Sequence, residues 1–180
     1  AWDADGRELE ASLAVEGERL LIRVEDQFAR YPLYVDPWIK TEEAKFTASV
    51  PTPGDQFGAS LDFSSDTAVV GAPGDDQAGT SAGSAYVFVR SGSTWTQQQK
   101  LFGNDTTSND QFGGSVAVQG DTLVVGARGN DLADTDAGSA HVFVRSGTTW
   151  TEEAQLTADD PEAGDFLGVA VALDGETAVL

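Results

Sequence analysis

The chain has 180 residues, of which thirty are acidic and ten are basic, so its net charge at neutral pH is −20. This charge repels nucleic-acid phosphates, and no apolar run reaches the roughly 20 residues that a membrane-spanning helix needs, so we expect neither a nucleic-acid partner nor membrane insertion. The absence of cysteine excludes disulfides, thiolate metal sites and cysteine nucleophiles.

Residues 1–39 form the first part of the sequence and do not share the pattern that follows. Residues 8–15 and 19–24 alternate in polarity around Glu16-Gly17-Glu18, which predicts a β-hairpin. Residues 31–37 contain two prolines and predict an exit strand at a boundary. We interpret 1–39 as the end of an upstream β-rich segment and a linker.

Residues 40–180 contain an internal repeat with a period of about 55 residues. Phe57-Gly58 returns as Phe112-Gly113, and Ala82-Gly83-Ser84-Ala85 returns as Ala137-Gly138-Ser139-Ala140. We place full repeats at 55–109 and 110–164, with partial repeats at 40–54 and 165–180.

Each repeat alternates with a period of two and predicts four short strands, which in the first copy are 59–64, 67–72, 84–90 and 94–101. The longer polar connections, 74–82 and 129–137, are the places where binding residues usually concentrate. Four antiparallel strands per repeat are typical of β-propeller blades. We therefore predict an all-β fold of about two and a half blades, preceded by a β-hairpin. Because known propellers use about four to eight blades, we expect the remaining blades to come from sequence beyond these residues.

The sequences DQFG at 55–58 and VVGAP at 69–73 identify the repeat more closely, together with VVGAR at 124–128 and DFLG at 165–168. They resemble FG-GAP repeats, which form the propeller of integrin alpha subunits and occur in prokaryotic surface proteins. The residues that carry the motif are Phe57, Gly58, Gly71, Ala72, Pro73, Phe112, Gly113, Gly126, Ala127 and Gly168. The resemblance implies an extracellular or cell-surface module for protein interaction or adhesion, with no catalysis and no cofactor.

The integrin calcium loop is absent between the first two strands, where Phe63-Ser64-Ser65-Asp66 offers too few carboxylates for calcium. The protein therefore resembles the short-loop prokaryotic variety. A separate calcium candidate is the loop with Asp131, Asp134 and Asp136, although the equivalent loop offers only Asp75 and Asp76. Calcium is the one cofactor that we consider.

Trp95 and Trp150 recur at the start of the fourth strand. Packing between blades is the reading that we favour. The alternative is a carbohydrate-binding, lectin-like propeller in which both indoles stack on sugars, so the ligand is either a protein or a glycan.

Gly79-Thr80-Ser81-Ala82-Gly83 fits the nucleophile motif G-x-S-x-G. No helix is predicted after it, the next repeat has Asp136 in place of Ser81, and the single histidine, His141, lies in a predicted strand, pointing to solvent or to a neighbouring blade. We therefore predict that the protein is not an enzyme.

Overall fold

The computed structural model describes residues 11–16, 19–24, 45–175 and 177–180. The protein divides into two compact units, Ala1–Glu42 and Glu43–Leu180. In the first unit, β1 (Ala11–Glu16) pairs with β2 (Arg19–Val24) in an antiparallel hairpin. The hairpin predicted near the beginning of the sequence is therefore confirmed, whereas the strand predicted at 31–37 lies outside the described residues.

The first sheet contains four antiparallel strands in the order in which they occur in the sequence. They are β3 (Ser60–Ser64), β4 (Thr67–Ala72), β5 (Ser84–Ser91) and β6 (Thr94–Leu101). β4 is buried along its whole length, because small and β-branched residues fit a strand that is covered on both faces. The predicted strands agree with these bounds to within one residue.

The second sheet repeats this arrangement with β7 (Phe112–Gln119), β8 (Thr122–Ala127), β9 (Ser139–Ser146) and β10 (Thr149–Leu156). β11 (Ala172–Asp174) and β12 (Thr177–Val179) then pair as the beginning of a third copy. The first and second sheets are four-stranded antiparallel propeller blades, as predicted. Among the described residues, no helix is long and apolar enough to cross a membrane.

A hydrophobic core lies between the first and second sheets. The first sheet contributes Val69, Ala85, Val87 and Leu101, and the second contributes, among others, Phe112, Val116, Val118, Leu123, Val125, Phe143 and Trp150. Each sheet thus needs its neighbour to bury its apolar face, as repeat architectures do. Leu61 and Phe63 occupy the positions of Val116 and Val118 in the first sheet, and both are 69% exposed.

The glycines of the repeat motif allow consecutive blades to approach through their backbones. A Cβ on Gly71 would meet the carbonyl oxygen of Gly113, and a Cβ on Gly126 would meet that of Gly168. The same two carbonyl oxygens accept hydrogen bonds from Ser60 Oγ and Ser115 Oγ at 2.8 and 2.7 Å. The motif is therefore a joint between blades, and glycine is required where two backbones meet.

Candidate functional site

The longer connections of both blades lie at one end of the sheets, because in an antiparallel blade the second strand ends where the third begins. We call this end the loop face and define it as residues 73–83, 102–111, 128–138 and 157–171. The two-residue turns, such as 65–66 and 92–93, lie at the opposite end, which we call the hairpin end. The loops predicted for binding, 74–82 and 129–137, both belong to the loop face.

Backbone hydrogen bonds join the loop between the second and third strands of each blade to the connection that follows the fourth strand. Asn109 N–H donates to Thr80 O at 2.8 Å, Gln111 N–H to Ser81 O at 3.1 Å, and Phe112 N–H to Ala82 O at 2.9 Å. The next repeat reproduces this ladder through Gly164, Phe166 and Leu167, which donate to Thr135, Asp136 and Ala137. Because backbone carbonyls of these loops are hydrogen-bonded to backbone N–H groups of the following connections, the loop face is a continuous and ordered surface.

Aspartate side chains close the two loops internally. Asp76 Oδ1 accepts the Ser81 N–H, and Asp131 Oδ1 accepts the Asp136 N–H, both at 2.7 Å. Asp134 Oδ1 accepts the N–H of Thr135. Two of the three calcium candidates therefore hydrogen-bond to their own loop, and within the described residues no group of three or more histidine or acidic side chains could hold a metal ion. The structure does not bring Asp131, Asp134 and Asp136 together as a ligand set.

The two tryptophans lie against the neighbouring repeat. Trp150 is 2% exposed, and its indole N–H donates to Gln98 Oε1 at 3.0 Å. Its backbone N–H and carbonyl also bond to the side chain of Gln99. Trp95 is half-buried and meets Phe46 edge to face at 5.2 Å between centroids. These contacts favour packing between blades as the role of both residues.

An arginine covers the outer side of each tryptophan. Arg90 lies 5.6 Å from the Trp95 ring centroid and pairs with Asp66, while Arg145 lies 5.1 Å from the Trp150 ring and pairs with Asp121. The cation occupies one face of each indole, so a sugar would have to displace it to stack on that face.

A buried polar centre lies behind the loop face in the first blade. Lys100 Nζ lies 2.6 Å from Asp75 Oδ2, which also accepts hydrogen bonds from Ser84 Oγ and Tyr86 Oη. Burial acts to raise the pKa of Asp75, but the hydrogen bonds from Lys100, Gln77 and Ser84 outweigh it, so this pKa is lowered. Burial acts to lower the pKa of Lys100, but the bonds to Asp75 and Tyr86 outweigh it, so this pKa is raised. The two charges stabilise each other.

The second blade replaces this ion pair with different polar residues at the same positions. Asn130 stands at the position of Asp75, Gln155 at that of Lys100, and His141 at that of Tyr86. Both Asn130 Nδ2 and Gln155 Nε2 donate to Asp105 Oδ2, at 3.0 and 2.8 Å. The centre of the second blade is therefore organised around Asp105 instead of a lysine.

Burial also shapes the acids of the second centre. It acts to raise the pKa of Asp105, but hydrogen bonds from Asn130 and Gln155 and the nearby His141 outweigh it, so that pKa is lowered. The pKa of Asp110 is raised, because burial and the charge of Asp105 exceed the effect of its hydrogen bonds from Thr107 and Asn130.

His141 is completely buried in this second centre and does not point to solvent. Its ring lies against β10 and the connection 102–111. Its Nδ1 lies 2.9 Å from Glu152 Oε1, and its Nε2 lies 3.1 Å from Ser139 Oγ. These distances match those of a serine–histidine–carboxylate triad. Ser139 and His141 are both 0% exposed, however, so no substrate reaches the hydroxyl in this arrangement, and the contacts belong to a buried polar network. One oxygen of this network, Asp105 Oδ1, has no hydrogen-bond partner within the part of the chain that the structure describes and lies 3.7 Å from His141 Nε2.

The G-x-S-x-G serine has a separate structural role. Ser81 has a positive φ of 49°, as does its counterpart Asp136 at 52°. Both residues offer their carbonyls to the following connection. The polar centres are not apparent in the sequence, since the hydrogen bonds that assemble them include pairs as far apart as Asp105 and Gln155, which are 50 residues from each other.

The comparisons agree with this repeated architecture. The family model described as the FG-GAP repeat matches residues 40–88, 95–143 and 150–180. The second match, 95–143, begins in the fourth strand of one blade and ends in the third strand of the next. No curated protein sequence matches this one.

Proposed function

We propose that this protein, which belongs to the FG-GAP repeat family, is a non-catalytic extracellular or cell-surface module whose loop face binds a protein partner. Its β-propeller-like blades are of a kind typically used for protein interaction. The observation that carries the proposal is the hydrogen-bonded order of the loop face, because a surface that is ordered before binding loses less conformational entropy when a partner docks.

The side chains of the loop face suit a protein partner. Leu132 is 63% exposed at the tip of its loop, and Phe166 and Val169 are 44% and 61% exposed on the next connection. The carboxylates of Asp131 and Asp134, in the same loop as Leu132, are exposed as well. An apolar contact with a charged rim is the usual composition of a protein–protein interface. Adhesion is one form that such binding takes at a cell surface.

The carbohydrate alternative has less support from the geometry. Trp150 is buried, and the indole of Trp95 contacts both Arg90 and Phe46. A glycan would have to displace these contacts before it could stack. Glycan binding that disappears in a Trp95→Ala variant would move the proposal to this alternative.

Site-specific photocross-linking tests the protein-binding proposal. Benzoylphenylalanine at Leu132 reports on the loop face, and the same probe at the exposed Ser93 reports on the hairpin end as the matched control. With surface and medium proteins of the source organism, we expect a discrete cross-linked partner from position 132 and none from position 93. Leu132→Asp should weaken binding of that purified partner at least tenfold, or by about 1.4 kcal/mol.

Two results would contradict the proposal. One is cross-linking from position 93 alone, which would place the binding surface at the hairpin end. The other is the same products from both positions, which would indicate non-specific association.

A further inference from the structure

Three consecutive repeats together line a small cleft on the loop-face side of the first strands. Its volume is about 180 Å³. The side chains and backbone that surround it include Gln56 and Pro73 from the first repeat, Gln111 and Arg128 from the second, and Gly168 and Val169 from the third. No single repeat forms this cleft, so the sequence of one repeat does not reveal it.

Arg128 supplies the positive charge of the cleft. Arg90, Lys100 and Arg145 each pair with an aspartate, but the guanidinium of Arg128 has no carboxylate partner among the described residues. Its Nε and Nη2 both donate to Gln111 Oε1, at 3.0 and 2.7 Å. In a protein with three acids for every base, this exposed arginine is bonded to a neutral amide.

The bond to Gln111 leaves one edge of the guanidinium available. Arginine has five N–H donors, and two of them are directed at Gln111. The remaining hydrogens on Nη1 and Nη2 form the parallel pair that carboxylates accept in a bidentate manner. Because the Oε1 of Gln111 accepts hydrogen bonds from Arg128, the side-chain nitrogen of Gln111 is oriented as a hydrogen-bond donor.

The backbone fixes Gln111 in a costly conformation at this place. Its φ is 55°, in the left-handed region that non-glycine residues rarely adopt, and Gln56 on the other side of the cleft has a φ of 56°. The Gln111 N–H donates to Ser81 O, and its carbonyl accepts the N–H of Gly114. Phe166 at the equivalent position of the third repeat has a φ of 54°, so this backbone conformation recurs in each repeat, and at the cleft it fixes the position of Gln111.

We propose that this cleft binds a single carboxylate of the partner protein, with Arg128 as the bidentate donor and the amides of Gln56 and Gln111 beside it. This inference rests on the proposed function, because it names the group that the loop face recognises. A carboxylate fits better than a phosphate dianion, since the net charge of −20 repels a second negative charge more strongly and the cleft is small. The carboxylate belongs either to an acidic side chain or to the C-terminus of the partner.

Side-chain ¹⁵N NMR of the 180-residue protein tests the inference without a partner. Sodium acetate is the probe, acetamide is its neutral control, and sodium chloride keeps the ionic strength constant. We expect saturable shifts of the Arg128 Nε–H and of the Gln56 and Gln111 amides with acetate only, and a dissociation constant at least tenfold weaker in Arg128→Gln. Arg128→Pro copies Pro73 of the preceding repeat and provides a second variant that removes the charge.

The control variant is Arg90→Gln, which removes a cation at the hairpin end and should leave the acetate shifts unchanged.

N-acetylglycine and the α-amide of N-acetylglutamate then separate a terminal from a side-chain carboxylate, and whichever binds more tightly identifies the source. Acetate shifts that fail to saturate, or that acetamide reproduces, would overturn the inference. The cross-linking at Leu132 can succeed when this titration fails, so the two proposals are separable.

Discussion

Lys100→Gln is expected to lower the free energy of unfolding by about 3 kcal/mol. The substitution leaves the carboxylate of Asp75, a residue that is only 2% exposed, without the ammonium that now lies 2.6 Å from it. A buried charge without its partner retains its full desolvation cost. Asp75→Asn should be destabilising for the converse reason, because Lys100 then has no counter-charge. Urea unfolding followed by tryptophan fluorescence measures both variants.

The double variant Asp75→Asn/Lys100→Gln is the control that the protein itself offers, because the second blade has Asn130 and Gln155 at these positions. We expect its free energy of unfolding to fall by at least 1 kcal/mol less than the sum of the decreases in the two single variants, which is the signature of a directly coupled pair. Additive losses would contradict the account of the first polar centre.

The same pair gives stability a defined pH dependence. The pKa of Asp75 is lowered on folding, so its contribution is present above its ordinary pKa and is lost as the pH falls through the folded value. The pKa of Lys100 is raised, so its contribution is present below its ordinary pKa and is lost as the pH rises through the folded value. The coupling energy between them should therefore be greatest between these two limits.

Gly71→Ala is also expected to lower the free energy of unfolding by about 3 kcal/mol. The new methyl group would meet the carbonyl oxygen of Gly113 in the next blade and the hydroxyl of Ser60. A clash with backbone cannot be relieved by a rotamer change, so the two blades must separate. Thermal and urea unfolding measure the loss, and reduced burial of Trp150 reports the separation.

Gly92→Ala is the matched control for the glycine at the joint. Gly92 has a positive φ of 61° in a turn of the same blade, but a Cβ there meets nothing within 4 Å. Its substitution should cost about 1 kcal/mol, from backbone strain alone. Equal losses at positions 71 and 92 would show that backbone conformation, and not the contact between blades, determines the role of Gly71.

The strands could be predicted because their signal is local. Alternation along β3 to β6, turn residues between them and a second copy 55 residues later all indicate the same four-stranded unit. The Phe-Gly and Gly-Ala motifs could be located in the sequence, but their role as a joint depends on Gly71 facing Gly113, which is a contact between repeats.

The polar centres could not be predicted for a related reason. In the sequence, His141 looks like an ordinary strand residue. Its role in the buried centre depends on Glu152 in the adjacent strand and on Asp105 in the connection before its own blade. The sequence already favours packing for Trp150, but its partners, Gln98 and Gln99 of the previous blade, are identified only by their hydrogen bonds to it. In each case the side chain that decides the role lies well outside the local sequence pattern.

Amide hydrogen exchange at the loop face measures whether this surface is ordered before a partner binds. We expect the amides of Gln111, Phe112, Phe166 and Leu167 to exchange within about tenfold of those in β8, because each is bonded to a loop carbonyl of the preceding repeat. Exchange of these four amides at the rate of an unstructured polypeptide, while β8 stays protected, would show that the loops are not held in place and that the loop face is not ordered before binding.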